Sequence, residues 1–292
     1  VMSSVRHGLL PVLVLLCAAC SFSVDAEPFI ATEEKTFTVD GRPELSLRTF
    51  DGSISVTTWS RPEVALTIER RAGSQAEAEA LEVITSQDGN RIVVEAKAPP
   101  RRVYVGFHQG PEVRFVVSMP ADADLTAASG DGSISAAGIN GRVELRSGDG
   151  ALRGERLRGE IVADTGDGSI ALDEVAGRVR ANTGDGSVRI SGAPDVLEAH
   201  TGDGSIAVEL TGDVVLQEDW ELTTGDGSVR VALPPAVRAQ LDARTGDGRI
   251  DAADFGLRTG EDSRHELRGP INGGGPVLRI RTGDGSITVA KN

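Results

Sequence analysis

The sequence predicts an all-β protein, a parallel β-solenoid (β-helix) with coils of about 18 residues and an N-terminal β-rich cap. The first observation is a repeated Gly-Asp-Gly turn or a close variant of it. The turns are centred on Asp51, Asp131, Asp149, Asp167, Asp185, Asp203, Asp226, Asp247 and Asp284. The second observation is their spacing, which is 18 residues from Asp131 to Asp203 and then 23, 21 and 37. A fixed period with later insertions is typical of a solenoid whose coils carry loops.

The third observation is the alternation of apolar and polar residues on both sides of each turn, as in "RVRANT" at 178–183. Apolar residues at every second position predict half-buried strands, one entering and one leaving each turn. Left-handed β-helices built from hexapeptides need an aliphatic residue every six positions. Ala176 and Asn182 follow Ile170 at that interval, so this subtype fits poorly and the handedness stays open.

The N-terminal region, residues 37–121, is predicted to be β structure continuous with the solenoid repeats of residues 122–292. It carries the same turn in "FDGSISV" at 50–56, and solenoids need a capping unit of this kind. Asp88 and Gly89 predict the tip of a hairpin. Ser74 and Glu77 form a capping box that predicts one helix over 74–84.

Residues 1–20 are predicted to be a signal peptide, because a short basic start precedes the apolar run "LLPVLVLLCAAC". "CAAC" resembles a bacterial lipobox, which makes Cys20 the lipidation site, although Cys17 stands where Leu is usual. Cleavage after Ala26 by an ordinary signal peptidase is the alternative. Residues 21–36 are then a linker. The protein is expected to be exported to the periplasm or cell surface, anchored to the outer membrane as a lipoprotein.

The repeated turn has two interpretations. As a structural corner, its glycines would adopt positive φ, its Asp would accept backbone hydrogen bonds, and Thr165, Thr183 and Thr201 would form a buried hydroxyl ladder. As a cation site, the stacked carboxylates would bind calcium, which prefers six to eight oxygen ligands. The predicted calcium residues are Asp131, Asp149, Asp167, Asp185 and Asp203. No other cofactor is expected.

Composition argues against a nucleic-acid partner. The formal net charge is −14, the isoelectric point is about 4.8 and aromatic residues make up 3% of the chain. Binding to nucleic acid depends on clustered Lys and Arg and often on aromatic stacking. No catalytic constellation is evident either. His200 is expected on the surface, and Asp262, Ser263 and His265 are expected in a polar loop, so the protein is predicted not to be an enzyme.

The "TGDGSI" coils and the closing "INGGGPVLRIRTGDGSITV" at 271–289 resemble the bacterial putative-adhesin family with β-strand repeats, a domain of unknown function of the toast-rack type. The resemblance covers about residues 37–291. It implies a β-solenoid on exported or membrane-attached envelope proteins, some of them linked to envelope-stress systems. The family supplies no catalytic residues to transfer to this chain.

The predicted function is a non-catalytic, envelope-associated solenoid with a structural, adhesin-like or interaction role. Its expected partners are envelope or cell-surface components, protein or glycan, and the membrane through a lipid on Cys20. The insertions after Asp203, Asp226 and Asp247 are expected to cluster at one end as a partner site. The alternatives are a carbohydrate-active enzyme on a β-helix and a sensor module for envelope stress.

Overall fold

The structure is a computed structural model that describes residues 28–99, 110–212, 214–259 and 264–292. Within these residues, 22 strands join one sheet, and the helical elements are α1 (Gln75–Glu79) and a 3₁₀ turn at Ala253–Phe255. The prediction of an all-β protein is confirmed. The signal peptide at 1–20, including Cys20, lies outside the described residues.

The strands fall into three groups along the chain. The N-terminal group is β1 Phe29–Thr38, β2 Glu44–Thr49, β3 Ile54–Trp59, β4 Glu63–Ala72, β5 Val83–Asp88, β6 Arg91–Ala96 and β7 Glu112–Pro120. The central group is β8 Asp124–Ser129, β9 Ile134–Ala137, β10 Asn140–Ser147, β11 Leu152–Glu155, β12 Arg158–Thr165, β13 Ile170–Thr183, β14 Val188–Thr201 and β15 Ile206–Leu210. The C-terminal group is β16 Trp220–Thr224, β17 Val229–Leu233, β18 Ala239–Thr245, β19 Ile250–Asp251, β20 Glu266–Ile271, β21 Val277–Thr282 and β22 Ile287–Lys291.

The central strands pair in parallel, one coil on the next. Val143 of β10 lies between Leu125 of β8 and Ile161 of β12, and each of these residues is 18 positions from its neighbour. Strands that enter a turn stack on one side, and strands that leave it stack on the other. Inward aliphatic side chains of both sides form one continuous hydrophobic core. We call the outward sides of these two sets the entry face and the exit face.

The N-terminal end is closed by antiparallel strands. β4 pairs with β7, β1 pairs with β4, and β5 pairs with β6. β1 begins at Phe29, inside the segment 21–36 that was expected to be a linker. Its ten residues all pair with β4, along which they form an exposed outer strand.

The predicted helix is shorter than expected. Ser74 caps α1 by accepting a hydrogen bond from the Glu77 N–H (3.3 Å), as the capping box predicts. The helix ends after one turn because Val83 already pairs with Ala96 in the β5–β6 hairpin. The tip of that hairpin follows Asp88, which confirms the predicted turn.

The C-terminal coils do not stack in chain order. β21 and β22 lie between the β16–β17 coil and the β18–β19 coil, so Ile287 is paired with Val229 on one side and Ile250 on the other. β20 runs antiparallel along the other edge of β18. The connection 272–276 therefore crosses the start of β18, where the Asn272 side chain donates to the carbonyls of Pro235 and Val237 (2.8 and 2.7 Å).

Candidate functional site

The Gly-Asp-Gly turns form a single row along one edge of the stack, which we call the turn row. From the Asp149 turn onward, the first glycine of each turn donates its N–H to the carbonyl of the first glycine of the adjacent turn, as from Gly166 to Gly148 and from Gly184 to Gly166 (both 2.5 Å). The same bond links Gly283 to Gly225 and Gly246 to Gly283 (both 2.6 Å). In spatial order, the Asp284 turn therefore precedes the Asp247 turn, which is the outermost.

A buried hydroxyl ladder supports the turn row, as the sequence predicts. Thr201 Oγ1 donates to the Gly186 carbonyl of the preceding coil (2.8 Å) and accepts from the Gly204 N–H of its own turn (3.1 Å). A hydroxyl that makes both bonds closes its own turn and joins it to the adjacent coil; Thr183, Thr224 and Thr282 do the same. The buried hydroxyl residues are Thr49, Ser129, Ser147, Thr165, Thr183, Thr201, Thr224, Thr245 and Thr282.

The glycines of the turn are required for a different reason from the one predicted. Only Gly52 among them has φ in the left-handed region, at 110°. A Cβ added to Gly168 would lie 2.1 Å from the Gly150 carbonyl oxygen, and one added to Gly186 would lie 2.0 Å from the Gly168 oxygen. The expectation of positive φ is therefore wrong for the other turns, whose second glycines are needed because adjacent backbones approach too closely for a side chain.

The predicted role of the turn carboxylates in closing the turn is also wrong for most turns. Asp51 Oδ1 accepts from the Gly52 N–H (2.6 Å). By contrast, the N–H groups of Gly132, Gly150, Gly186 and Gly204 donate to the Ser or Thr hydroxyl that precedes each turn. The five carboxylates predicted to bind calcium are exposed and make no hydrogen bond or ion pair within the described part of the chain: Asp131, Asp149, Asp167, Asp185 and Asp203. The same holds for the later turns at Asp226, Asp247 and Asp284.

Calcium binding by these five residues stays a prediction. Strands in a sheet lie about 4.8 Å apart, and two carboxylates at this distance repel by roughly 0.9 kcal/mol in water, which solvent exposure makes tolerable without a cation. Among the described residues, no three or more His, Cys, Asp or Glu side chains converge into a group suited to a metal ion. A thermal midpoint unchanged by millimolar calcium would contradict the prediction, and a rise that Asp167→Asn removes would support it.

The entry face balances its charges between neighbouring coils. Arg142 lies 3.2 Å from Glu160, and Arg146 lies 3.6 Å from Asp164, each pair being 18 residues apart. Arg180 and Glu198 form a further pair at 2.6 Å. The repeat period thus places opposite charges in contact across adjacent strands, a favourable arrangement in sheets.

The exit face carries a row of charges that is not balanced in this way. Arg153, Arg189 and Arg230 are exposed, and none of them has an ion pair within the described residues. Their neighbours in the intervening coils are Ala171 and Ala207. We call these three residues the arginine row. Sequence reasoning missed this row. When the coils are aligned by their turns, Arg and Ala alternate at the third residue after the second turn glycine.

The carboxylates with shifted pKa values belong to ion pairs. A hydrogen bond from Arg70 lowers the pKa of Glu33, and one from Arg42 lowers the pKa of Asp124. Burial alone would raise the pKa of Asp242, but hydrogen bonds and charges from Arg281 and Arg268 outweigh it and lower the value. The Glu33 and Asp242 pairs join neighbouring strands, and Arg42 lies just before β2, which pairs with the β8 strand of Asp124. These positions indicate a structural role.

The histidines show no shared site within the described residues. His200 is exposed on the entry face, beside Asn182 and Thr223, as predicted. His265 is exposed near the start of β20, while Asp262 and Ser263 lie outside the described part. In the part that the structure describes, no helix has the length and apolar character needed to cross a membrane.

A scan of protein families gives a match of residues 43–290 to the family described as Toastrack DUF4097. The chain belongs to this family. The match spans both the antiparallel N-terminal strands from β2 onward and the whole turn row, so the toast-rack domain includes both regions. The resemblance inferred from the "TGDGSI" coils is confirmed.

Three solved structures are similar to this toast-rack protein at low identity. A putative cell adhesion protein from Clostridium sporogenes is 12% identical, with coverage of 91% of this chain and 100% of that one and a TM-score of 0.31. A putative adhesin from Bacteroides fragilis is 9% identical, with coverage of 90% and 97% and a TM-score of 0.37. A putative lipid binding protein from Parabacteroides distasonis is 11% identical, with coverage of 88% and 96% and a TM-score of 0.29. A search of curated proteins finds no match.

Proposed function

We propose that this toast-rack protein is an exported, non-catalytic β-solenoid with 18-residue coils that acts at the bacterial envelope as an adhesin-like or structural interaction module. The observation that carries the proposal is the regular outer surface, on which exposed Asp and Arg side chains recur from coil to coil without partners in the described residues. Extended, repetitive surfaces of this kind are what solenoid proteins use for binding.

The solenoid assignment is supported by the strand register. Parallel partners in β8, β10, β12 and the second half of β13 are separated by one repeat, and both strands of each coil follow the same rule. Side chains at equivalent positions therefore form straight rows. A partner with a linear repeat of its own can contact such rows at several points at once.

The non-catalytic role is supported by where the carboxylates lie. The turn row distributes its carboxylates evenly along the stack, whereas a catalytic pair is a local exception. The carboxylates with lowered pKa values are held in ion pairs with arginines of neighbouring segments. Incubation with a panel of envelope and plant polysaccharides tests this part, because any consistent product formation would overturn it.

Export and lipid anchoring through Cys20 complete the proposal. Its support is the apolar run before Cys20 and the envelope location that the family resemblance implies. In cells fed a labelled fatty acid, the wild-type protein should incorporate the label and sediment with membranes, whereas Cys20→Ala should do neither. Label retained by Cys20→Ala would contradict the assignment.

The interaction role is tested with the protein released from cells and mixed with isolated envelope fractions. We expect it to be retained by the fraction that carries its partner, with a salt dependence that reflects charged contacts. Absence of retention on every envelope fraction, at low salt and with folded protein, would overturn the proposed function.

A further inference from the structure

We propose that the arginine row binds an extended acidic polysaccharide in which acidic and neutral sugars alternate. This inference deepens the proposed function, since it names the ligand class and the surface of an envelope-binding module. The arginine row is Arg153, Arg189 and Arg230 on the exit face, as defined above.

The spacing of the row is set by the fold. Arg153 pairs with Ala171, Ala171 with Arg189, Arg189 with Ala207, and Ala207 with Arg230. Two strand spacings separate successive arginines, which is about 9.6 Å. A sugar unit of an extended chain is similar in length to one strand spacing, so a polymer with an acid on every second sugar matches the row.

The alanines between the arginines explain why the guanidinium groups stay free. On the entry face, a side chain one coil away supplies the opposite charge, as Glu160 does for Arg142. On the exit face, the side chains one coil away carry no charge: they are Ala171 and Ala207 between the arginines, and Ser135 and Thr288 at the two ends of the row. The small side chains of Ala171 and Ala207 also leave shallow depressions between the arginines, where a flat sugar ring can approach the sheet.

Acidic residues on the same face favour a ligand with alternating charge over one that is charged on every sugar. Glu155, Asp173 and Glu209 lie two residues beyond the arginine-row column in their strands, and the turn row lies on the other side. Asp173 already accepts a hydrogen bond from Ser191 Oγ (3.2 Å), and Glu155 pairs with Arg156. These carboxylates repel a polymer with a charge on every sugar, whereas they accept hydrogen bonds from the hydroxyl groups of neutral sugars.

Arginine suits this task because its planar guanidinium can bind a carboxylate through two parallel hydrogen bonds. Each single contact is exposed and therefore weak. Three contacts in register on a rigid sheet act together, since the first fixes the position of the next. Binding should therefore depend strongly on the length of the polysaccharide and on salt.

The probe is hyaluronan, whose uronic acid alternates with a neutral amino sugar, in oligosaccharides long enough to span the three arginines. The comparison ligands are polygalacturonate, with an acid on every sugar, and neutral chitin oligosaccharides. We expect the exported protein to bind hyaluronan better than either in calorimetry or fluorescence anisotropy. The combined variant Arg153→Gln, Arg189→Gln, Arg230→Gln should weaken binding by about tenfold.

The matched control is the combined variant Arg142→Gln, Arg146→Gln, Arg180→Gln, which removes the same charge from the entry face. It should leave hyaluronan binding within about twofold of the wild type, because those arginines are occupied by carboxylates. If circular dichroism shows that the exit-face triple variant does not fold, the single variant Arg189→Gln tests the proposal instead. Its affinity for hyaluronan should fall about threefold. The single variant Arg180→Gln is its control.

Several outcomes would overturn the proposal. They are equal loss in both triple variants, no binding of hyaluronan, or binding of polygalacturonate or single-stranded DNA as tight as that of hyaluronan. If the protein does not bind hyaluronan but self-associates, and the exit-face triple variant abolishes this self-association, the arginine row is instead a contact between copies of the chain. Retention on envelope fractions without hyaluronan binding leaves the proposed function intact and removes only this inference.

Discussion

The middle of the stack and its C-terminal end use the same turn in different settings. In the middle, the turns from Asp131 to Asp203 follow in chain order, and each has a neighbour on both sides. At the C-terminal end, the Asp284 turn is inserted before the Asp247 turn, which has a turn on one side only. We therefore expect a turn's contribution to stability to depend on its place in the stack as well as on its own sequence.

The strongest test of this comparison is deletion of residues 277–292, which removes a coil from inside the stack. The deleted strands bury Leu278, Ile280, Ile287 and Val289, each at 1% exposure or less. Burial of such a side chain is worth about 1.5–3 kcal/mol, so we expect a loss of at least about 6 kcal/mol and unfolding of the C-terminal third. Urea unfolding followed by circular dichroism measures it.

The control is deletion of residues 28–38, which removes the outer strand β1 from the other end. Its burial pattern contains no fully buried residue, so the expected loss is smaller. If the two deletion variants were equally stable, β18 and β19 would be able to pack directly on β16 and β17. That result would contradict the claim that an inserted coil contributes more stability than an outer strand.

A second test places the same substitution in both settings. Gly186→Ala puts a Cβ 2.0 Å from the Gly168 oxygen, and Gly248→Ala puts one 1.9 Å from the Gly285 oxygen. Gly186 is confined between two coils, so we expect a loss of about 3 kcal/mol or more there. The Asp247 coil can move outward, and Gly248→Ala should cost distinctly less in the same unfolding experiment. A larger cost at Gly248 would contradict the comparison.

A third test removes one hydroxyl from the ladder. Thr201→Val leaves the Gly186 carbonyl and the Gly204 N–H without this partner, which should cost about 1–3 kcal/mol. Thr245→Val at the outermost turn should cost less, because water can replace the lost bonds there. Serine occurs naturally at this position of two turns, so Thr201→Ser should retain most of the stability and serves as the control for the hydroxyl itself.

The smallest expected effect concerns pH at the C-terminal end. Arg281 contacts Asp242 at 2.9 Å and Arg268 contacts it at 3.3 Å, and the pKa of Asp242 is lowered although burial opposes this. A lowered folded-state pKa stabilises the protein above the unfolded value of about 3.9. This contribution is lost as the pH falls through the folded-state pKa.

Asp242→Asn should therefore lower the thermal midpoint at pH 7 and change it little at the acid end of the profile. The thermal midpoint of each protein, measured from pH 7 down to about pH 3, gives the two profiles. A constant difference between them at every pH would show that Asp242 acts through packing or neutral hydrogen bonds and not through its charge.

Much of the fold follows from two periods in the sequence. The alternation of apolar residues predicts the strands, and the 18-residue spacing predicts which residues stack, as Thr165, Thr183 and Thr201 do. The order of the last two coils could not be predicted, because both carry Arg-Thr-Gly-Asp-Gly. Contacts between distant residues accompany the observed order, such as the hydrogen bond from the Val277 N–H to Asp219 Oδ1 (2.8 Å).

The candidate site was predictable only in part. Stacking of the turn carboxylates in one row followed from the repeat, but their lack of hydrogen bonds did not. The Ser or Thr hydroxyl competes for the same glycine N–H, and sequence alone does not show which group takes it. The arginine row depends on the absence of a partner, which becomes visible only when the side chains of both faces are compared.

The inserted coil also changes which strands at the C-terminal end of the stack unfold locally first. Terminal strands usually fray, and their amide hydrogens then exchange quickly with solvent. Here β22, the last strand of the printed sequence, is held between two other strands, and β18 must leave before β21 can. The amide hydrogens of Ile287 and Val289 should therefore exchange more slowly than that of Ile250. Protection at this end of the stack is then greatest in the inserted coil and not in the outermost one.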